Sequence, residues 1–546
     1  MSTVRVQPDV PAVGRQFDYA VPDRWAGRMQ VGCRVRIRLH NRPVGGWVTA
    51  VDPSPPAGVD LQPITGYSGL GPPPEVMDLA VWAAWRWAMP VATVLRVGSP
   101  DRNVWALPAC PTPRLPPPAV GSTEIYRLGP ATDPLPVVLE VVDAAGPGTV
   151  VVLVPNLGWA DRLADRLRRR GLAVAGSWAE AAAGWPVVVG SRTTAWAPVP
   201  RLAAAVVLDA HDEAYRDRYD AVEVVAERAA RQGVRCRLVS ACPTAVQVAR
   251  YPVVADDRSG WPAVSVVDRR AADPRTGLLS EELVRLADRV LPAGQPLVCV
   301  LNRTGRAKLL ACAACGELAR CHGCGRPVEQ VDDRLACRSC GQARPVVCAA
   351  CGATRLKVLR PGVSRVRDEL EALLGTPVGE VAGPVAAVPD TAVLVGTEAV
   401  LHRVRRAAAV AFLDFDQHLL AARFTAAEDA LALLARAGRL GPVLVQTRLP
   451  DHPVLAAAVA GDPLDELPLR RQLDLPPYAA LATLSGDAAA AYGAALAAAG
   501  PVITAADLGD GRWLVRAPDH RTLCDALADA PRPPGTLRVA VDPTDV

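Results

Sequence analysis

The sequence predicts a multidomain α/β protein carrying a metal-held insertion, and three observations lead there. Short apolar runs recur between helical stretches from residue 122 to residue 413. Eight of the fourteen cysteines interrupt that pattern as four Cys-x-x-Cys pairs inside forty residues. Two proline-rich stretches, Gly71–Pro74 and Pro111–Pro118, set off what comes before it. At 546 residues the chain has room for about three to five domains, each with its own core. A net charge of +4 gives no overall affinity for nucleic acid, so any such surface has to be local. The longest uncharged run, Ala488–Ala506, is broken by Gly500-Pro501 and predicts a helix, a turn and a strand, not a membrane span. The start Met-Ser-Thr-Val lacks a basic leader, which points to the reducing cytoplasm.

Residues 1–68 predict a small β domain. Val35, Ile37 and Leu39 alternate with Arg34, Arg36 and Arg38, so a strand there puts the arginines on one face. That face is either a solvated surface or one that meets phosphates. Residues 75–97 predict a helix whose Trp82, Trp85 and Trp87 belong to a core. From residue 122 the runs Val150–Val154, Val187–Gly190, Ala205–Leu208 and Cys236–Val239, with the amphipathic stretch Ala160–Arg170, predict a parallel doubly wound sheet. The pattern resumes at Pro296–Leu301, stops for the cysteines, and continues through Val393–Gly396 and Ala409–Leu413. The cysteine module is therefore an insertion into a second α/β lobe, and residues 451–546 form an α+β tail.

Cys312/Cys315, Cys321/Cys324, Cys337/Cys340 and Cys348/Cys351 each supply half of a tetrahedral thiolate site, because two intervening residues let both sulfurs reach one ion about 2.3 Å away. Four pairs make two sites, and with few large apolar side chains nearby the metal supplies the folding energy. Disulfides and an iron–sulfur cluster are the alternatives. The six other cysteines are scattered and the pairing is even, which favours two zinc ions.

Two α/β lobes, an eight-cysteine insertion in the second and a basic β domain in front resemble the primosomal replication-restart (PriA) family of superfamily 2 helicases. The resemblance implies a 3′ DNA-end-binding domain over 1–68 and a winged-helix-like domain over 69–118. It also implies RecA-like helicase lobes over 119–272 and 273–450, the zinc module at 309–356, and a fork-binding-like domain over 451–546. It makes Phe17 and Asp18 a pocket for a terminal nucleotide, beside Arg34, Arg36 and Arg38, with Gln62 where the family has a lysine. An aromatic face can stack on a base and a carboxylate can accept from a 3′-hydroxyl. The family's nested arrangement assigns Cys312, Cys315, Cys348 and Cys351 to one zinc, and Cys321, Cys324, Cys337 and Cys340 to the other; His322 is left at the surface. Leu475–Tyr478, Gly511–Trp513 and Asp542-Pro543 match family landmarks in the tail.

The motor is where the sequence departs from the family. A nucleotide-binding loop needs backbone donors, a lysine and a Ser/Thr. Matching Glu124-Ile125-Tyr126 to the family places that loop at Pro116–Thr123, with Ser122 at the lysine and only Gly121 and Thr123 retained. The chain has just two lysines, Lys308 and Lys357, both beside the cysteines. The family's Asp-Glu-Glu-His becomes Leu208-Asp209-Ala210-His211, and Ser-Ala-Thr-Pro becomes Ser240-Ala241-Cys242-Pro243. Arg436 and Arg439 of the final motif remain, as do the loops Gly190–Arg192 and Gly396–Glu398. The expectation is a degenerate nucleotide site of Gly121, Ser122, Thr123, Asp209, Arg436 and Arg439 that does not sustain ATP–magnesium turnover. Such a protein would bind branched DNA at replication forks and recruit primosome and helicase-loading proteins, with single-stranded DNA-binding protein a further partner and no membrane. It would sit in the cytoplasm with the nucleoid. The alternative is an active ATP-dependent 3′–5′ helicase with a rearranged nucleotide site.

Overall fold

The computed structural model describes residues 2–544 except 55–59, 112–120, 146–147, 273–276, 302–309, 332, 338–339, 359–362, 382–387 and 501. Pro116–Pro118 and Lys308 thus lie outside the described residues.

The N-terminal sheet is antiparallel, in the order Phe17–Ala20, Thr3–Pro8, Arg42–Val51, Arg34–Leu39, Gly66–Gly69. Alternation works as expected: Val35 and Ile37 are buried with Val4, Val6 and Val48, while Arg36 and Arg38 are exposed. His40 and Asn41 both take positive φ (48° and 62°), the mirror-image turn whose twist suits a two-residue hairpin loop, and this fixes the register Leu39↔Arg42. The predicted helix at 75–97 is two helices, Pro74–Arg86 and Val91–Gly98. Pro90 lacks the N–H that would continue the first. Among the described residues 69–111 holds these two helices and a single Leu70↔Val104 bridge, less than a winged helix.

Seven parallel strands form the first lobe in the order Val253–Asp257, Thr123–Leu128, Arg235–Ser240, Leu202–Leu208, Thr149–Leu153, Val187–Gly190, Val174–Ala175. Six parallel strands form the second: Val264–Asp268, Val443–Thr447, Ala409–Phe412, Leu297–Val300, Val393–Gly396, Val378–Val381. Val264–Asp268 sits inside the expected first lobe (119–272) yet pairs with Val443–Thr447 in the second sheet, so the crossover falls at 258–263. Helix Pro453–Ala460 likewise lies past the expected end at 450, but Val454, Leu455 and Ala458 are buried in the second lobe's core. The cysteine module stands between strand Leu297–Val300 and helix Val363–Leu374. The tail is a four-stranded antiparallel sheet, Thr504–Gly509, Arg512–Ala517, Ala480–Ser485 and Arg538–Val541 in that order, with helices Ala489–Ala498 and His520–Asp529. Among the described residues no helix is long and apolar enough to cross a membrane.

One apolar core runs from the helices of 74–98 through a face of the seven-stranded sheet into the tail; Trp87, Val207 and Leu484 belong to it and Trp82 packs against it, whereas Trp85 lies outside it and donates to Asp525. Arg86 fastens the same three parts by charge. Its guanidinium, 3% exposed, grips Glu223 through two hydrogen bonds of 2.9 Å and donates to Asp542 at 2.6 Å. Asp542 also pairs with His520 at 2.7 Å, and its carboxyl is held well below the usual range by that hydrogen bond and by Arg86. Removing the arginine leaves Asp542 with His520 alone and Glu223 with Arg250 at 3.5 Å, both carboxylates partly buried. Arg86→Ala is therefore expected to cost about 3 kcal/mol or more in urea unfolding; a loss below about 0.5 kcal/mol, the size of an exposed pair, would contradict this account.

Candidate nucleic-acid face, metal centres and lobe junction

On the N-terminal sheet the cross-strand pair Arg5↔Asp18 becomes a fork: Arg5 Nε and Nη2 donate to Asp18 Oδ1 and Oδ2 at 2.7 and 3.0 Å. Asp18 is thereby a neutralised carboxylate with a side chain 9% exposed. Phe17 beside it is half-buried, and the Arg15 guanidinium lies over its ring at 5.1 Å. The Gln62 carbonyl accepts from Ala20 N at 3.0 Å, so the chain stretch aligned with the family lysine does come to this strand. The three arginines divide. Arg34 is half-buried and donates to the Pro100 carbonyl at 2.9 Å, whereas Arg36 and Arg38 remain exposed.

The eight cysteines gather into two groups. Cys312, Cys315, Cys348 and Cys351 form one and Cys321, Cys324, Cys337 and Cys340 the other, the ligand atoms within each group lying within 4.8 Å of one another. Measured Sγ–Sγ contacts are 3.5 Å (Cys312–Cys351), 3.6 Å (Cys315–Cys348), 3.4 Å (Cys321–Cys340) and 3.5 Å (Cys324–Cys337). A tetrahedron with bonds of about 2.3 Å has edges of about 3.8 Å, so four sulfurs at this spacing fit one ion. No disulfide links them. All four pairs share a local fold that the spacing alone does not reveal. A glycine follows each second cysteine (Gly316, Gly325, Gly341, Gly352), with φ between 70° and 77°, and donates to the carbonyl of the first at 2.9–3.0 Å. Only glycine adopts that left-handed turn without cost. His322 belongs to neither group and is exposed.

The lobe junction requires a correction. Thr123–Leu128 is a strand, and Gly121, Ser122 and Thr123 stand at its amino end. Register Cys236↔Thr123 and Ala205↔Cys236 puts them level with Ala205, whereas Asp209 follows the far end of the neighbouring parallel strand. About four residues of strand, roughly 13 Å, separate the two levels. Gly121–Thr123 therefore do not share a site with Asp209, Arg436 and Arg439. Ligands of such sheets bind at the carboxyl ends of strands, and the loop there is Gly129-Pro130-Ala131-Thr132-Asp133-Pro134. It carries no lysine or arginine, and two of its six residues are prolines without an N–H. Three of its four other amides are engaged: Gly129 N donates to Asp257 O (2.8 Å), Ala131 N to Gly260 O (3.1 Å) and Thr132 N to Gly129 O (2.9 Å). The signal that could have found it is the apolar alternation before Gly129, with Ile125 on one face of the strand and Tyr126 and Leu128 on the other.

Opposite that loop the two lobes meet by charge. Arg439 donates to Asp209 and, at 3.2 Å, to the Pro130 carbonyl, and its guanidinium covers the Trp159 ring at 4.4 Å. Arg436 donates to Asp212 Oδ2 at 2.9 Å, with side chains 11% and 4% exposed. Asp209 has φ +50°, and the turn holding it is braced by Asp212 N→Asp209 O (2.8 Å) and Tyr215 Oη→Leu208 O (2.6 Å). Burial would raise the Asp209 carboxyl, but Arg439 more than offsets it and holds it below its usual value, and burial lowers His211, its Nδ1 2.8 Å from Ser240 Oγ. Ala241 and Cys242, at the position of the family's coupling motif, are buried in the second lobe's core.

A family model described as 3′DNA-binding domain (3′BD) matches residues 5–100. Curated relatives include the replication restart protein PriA of Haemophilus influenzae, 27% identical, covering 67% of this chain and 57% of that protein's own length. The probable replication restart proteins PriA of Mycobacterium leprae (28%, covering 87% and 86%) and Mycobacterium tuberculosis (27%, covering 98% and 92%) match over more of both chains. Similar solved structures include the Pyrococcus furiosus Hef helicase domain (TM-score 0.30, 11% identical, covering 60% of this chain and 92% of that one). Another is Saccharomyces cerevisiae Dbp5 bound to RNA and ADP BeF3 (TM-score 0.35, 10% identical, covering 65% and 88%). Fold and sites together define a two-lobed α/β protein whose insertion carries a pair of four-cysteine clusters. Within that class the chain is similar to the replication restart proteins PriA, over most of its length in the mycobacterial relatives.

Two expectations follow. Chelation should loosen the module around Leu310–Val358 while leaving the lobes folded, because the small core there (Leu310, Val328, Leu335) is itself built on Cys321 and Cys337. Hydrogen exchange should rise in that segment alone; a global loss of protection would contradict this. His418, buried against Phe415, has its imidazole held down at about 4 from 6.5. The unfolded chain takes up this proton near 6.5, so the stability the residue contributes is complete above that pH and is lost as pH falls towards 4. His418→Asn should flatten the dependence of Tm on pH between 6.5 and 4, and parallel wild-type and variant curves would refute the assignment.

Proposed function

We propose that this protein recognises branched DNA at abandoned replication forks and serves as a platform for reloading the replicative helicase, without turning over ATP itself. The observation that carries the DNA part is the 3′DNA-binding match over residues 5–100, which falls on a sheet with Arg36 and Arg38 exposed. Phe17 offers a stacking face for a terminal base, and Asp18, already neutralised by Arg5, keeps lone pairs for a terminal hydroxyl. Zinc is the metal we assign to the two four-cysteine groups, since four thiolates at tetrahedral spacing suit a closed structural site. When bound, zinc draws the thiolates together and holds the module folded; the chain's knuckle amides, such as Ala314 N→Cys312 Sγ at 3.4 Å, help hold the negative charge. Primosome and helicase-loading proteins, and single-stranded DNA-binding protein, are the partners this role requires.

The loop Gly129–Pro134 supports the absence of a motor. Phosphoryl transfer needs positive charge and free donors aimed at the phosphates, each worth roughly 3 kcal/mol in the transition state. This loop carries no lysine or arginine and has three of its four amides bonded to protein, and Leu208 offers no carboxylate for magnesium.

Fork binding measured across salt concentrations is the direct test. A phosphate-contacting face loses affinity steeply with salt, and Arg36→Ala/Arg38→Ala should reduce the log–log slope by about two. Phe17→Ala should abolish any preference for a free over a blocked 3′ end. Fork-independent binding with an unchanged slope would sink the DNA-end role. Fork-stimulated ATPase that disappears with Asp209→Asn would sink the platform role and favour a working helicase.

A further inference from the structure

We infer that the two lobes are held closed by a latch of their own side chains, Asp209–Arg439 and Asp212–Arg436, so that closure needs no nucleotide. The inference concerns conformation alone and stands or falls independently of fork binding.

The pairs join residues more than two hundred positions apart, from the turn after strand Leu202–Leu208 to helix Ala426–Gly438 and its C-cap Arg439. The Asp212–Arg436 pair is almost wholly removed from water. Parting such a pair exposes one charge to a low-dielectric wall unless the whole junction opens and both rehydrate, so the latch has two states and no gradual ones. Arg439 is fixed on three sides, by Asp209, the Pro130 carbonyl and the Trp159 ring, all from the first lobe. Asp209 itself sits in the left-handed region, a conformation that costs a non-glycine residue energy and persists where the surroundings impose it.

Further contacts run along the same seam. Glu428 of the second lobe accepts from Ala245 N at 2.6 Å, capping the helix that follows Pro243-Thr244. Arg127 of the first lobe donates to the Gly461 carbonyl at 3.0 Å, and Ala241 and Cys242 continue the second lobe's apolar core. A ligand moves a two-state equilibrium only by its differential affinity for the two states. Here the arginines that could discriminate for a phosphate are already held by carboxylates of the same chain.

Hydrogen exchange and small-angle X-ray scattering on the full, metal-loaded chain test this with Asp212→Asn, Arg436→Gln and the double variant, each with and without ATP and magnesium. We expect wild-type scattering and exchange to be unchanged by nucleotide. Each single variant should raise amide exchange over 209–216 and 435–440 by about tenfold or more. The double variant should not multiply the two effects, since both remove one interaction. Compaction of the wild type on adding ATP would overturn the latch. So would single variants with wild-type exchange, or effects that multiply in the double. Should either single variant fail to fold, Arg439→Lys, which keeps the charge but loses the fork, reads the second pair in the same way: faster exchange at 209–212 supports the latch and unchanged exchange refutes it.

Discussion

The polarity of the seven-stranded sheet governs where everything else in the first lobe can act. All its strands run the same way, so the turns after Thr123–Leu128, Leu202–Leu208 and Arg235–Ser240 emerge together at one edge. That edge holds Pro130, Asp209 and Ser240, and it is the edge the second lobe's helix Ala426–Gly438 packs against with its arginines. Residues at the amino ends of the same strands, Gly121–Thr123 among them, are excluded from that junction by the length of a strand, whatever their sequence resembles.

The metal module obeys a different constraint. Its strands are three residues long and its apolar cluster is small, so neither a sheet nor a core specifies its shape. Four Cys-x-x-Cys-Gly knuckles do so instead, each closing on itself through one glycine amide. The fold of the module is thus written locally four times and assembled by sulfur. For that reason the insertion can sit between two elements of the second lobe without disturbing the parallel sheet around it.

What could be read from sequence follows the range of the interaction. Alternation in 34–39, the buried valine runs of both sheets and the cysteine pairs are local, and each was legible residue by residue. Lobe boundaries were less so, because Val264–Asp268 carries the same apolar signature whichever sheet it joins, and only pairing with Val443–Thr447 decides. The nucleotide loop was misplaced for a related reason. Glu124-Ile125-Tyr126 matches the family in letters and so drew the loop to the residues before it, but Thr123–Leu128 is hydrogen-bonded as a strand between two others. Arg5–Asp18 and Arg436–Asp212 depend on register and on lobe packing, so no pattern along the chain announces them.

A two-lobed motor ordinarily keeps its cleft polar and hydrated so that a charged ligand can enter, at the expense of a loose junction when empty. This chain has no lysine at its first-lobe strand ends, and three of the four amides in its loop are bonded to protein. Two arginines left facing that cleft without an anion would be buried like charges, a strongly destabilising arrangement. Asp209 and Asp212 supply the missing negative charge in cis. The same pairing that satisfies the arginines sets the relation between the lobes. A surface spanning both lobes is then already in its binding geometry, which lowers the ordering cost of association. Under the proposed function, loss of the engine and gain of a preorganised platform would be one electrostatic change.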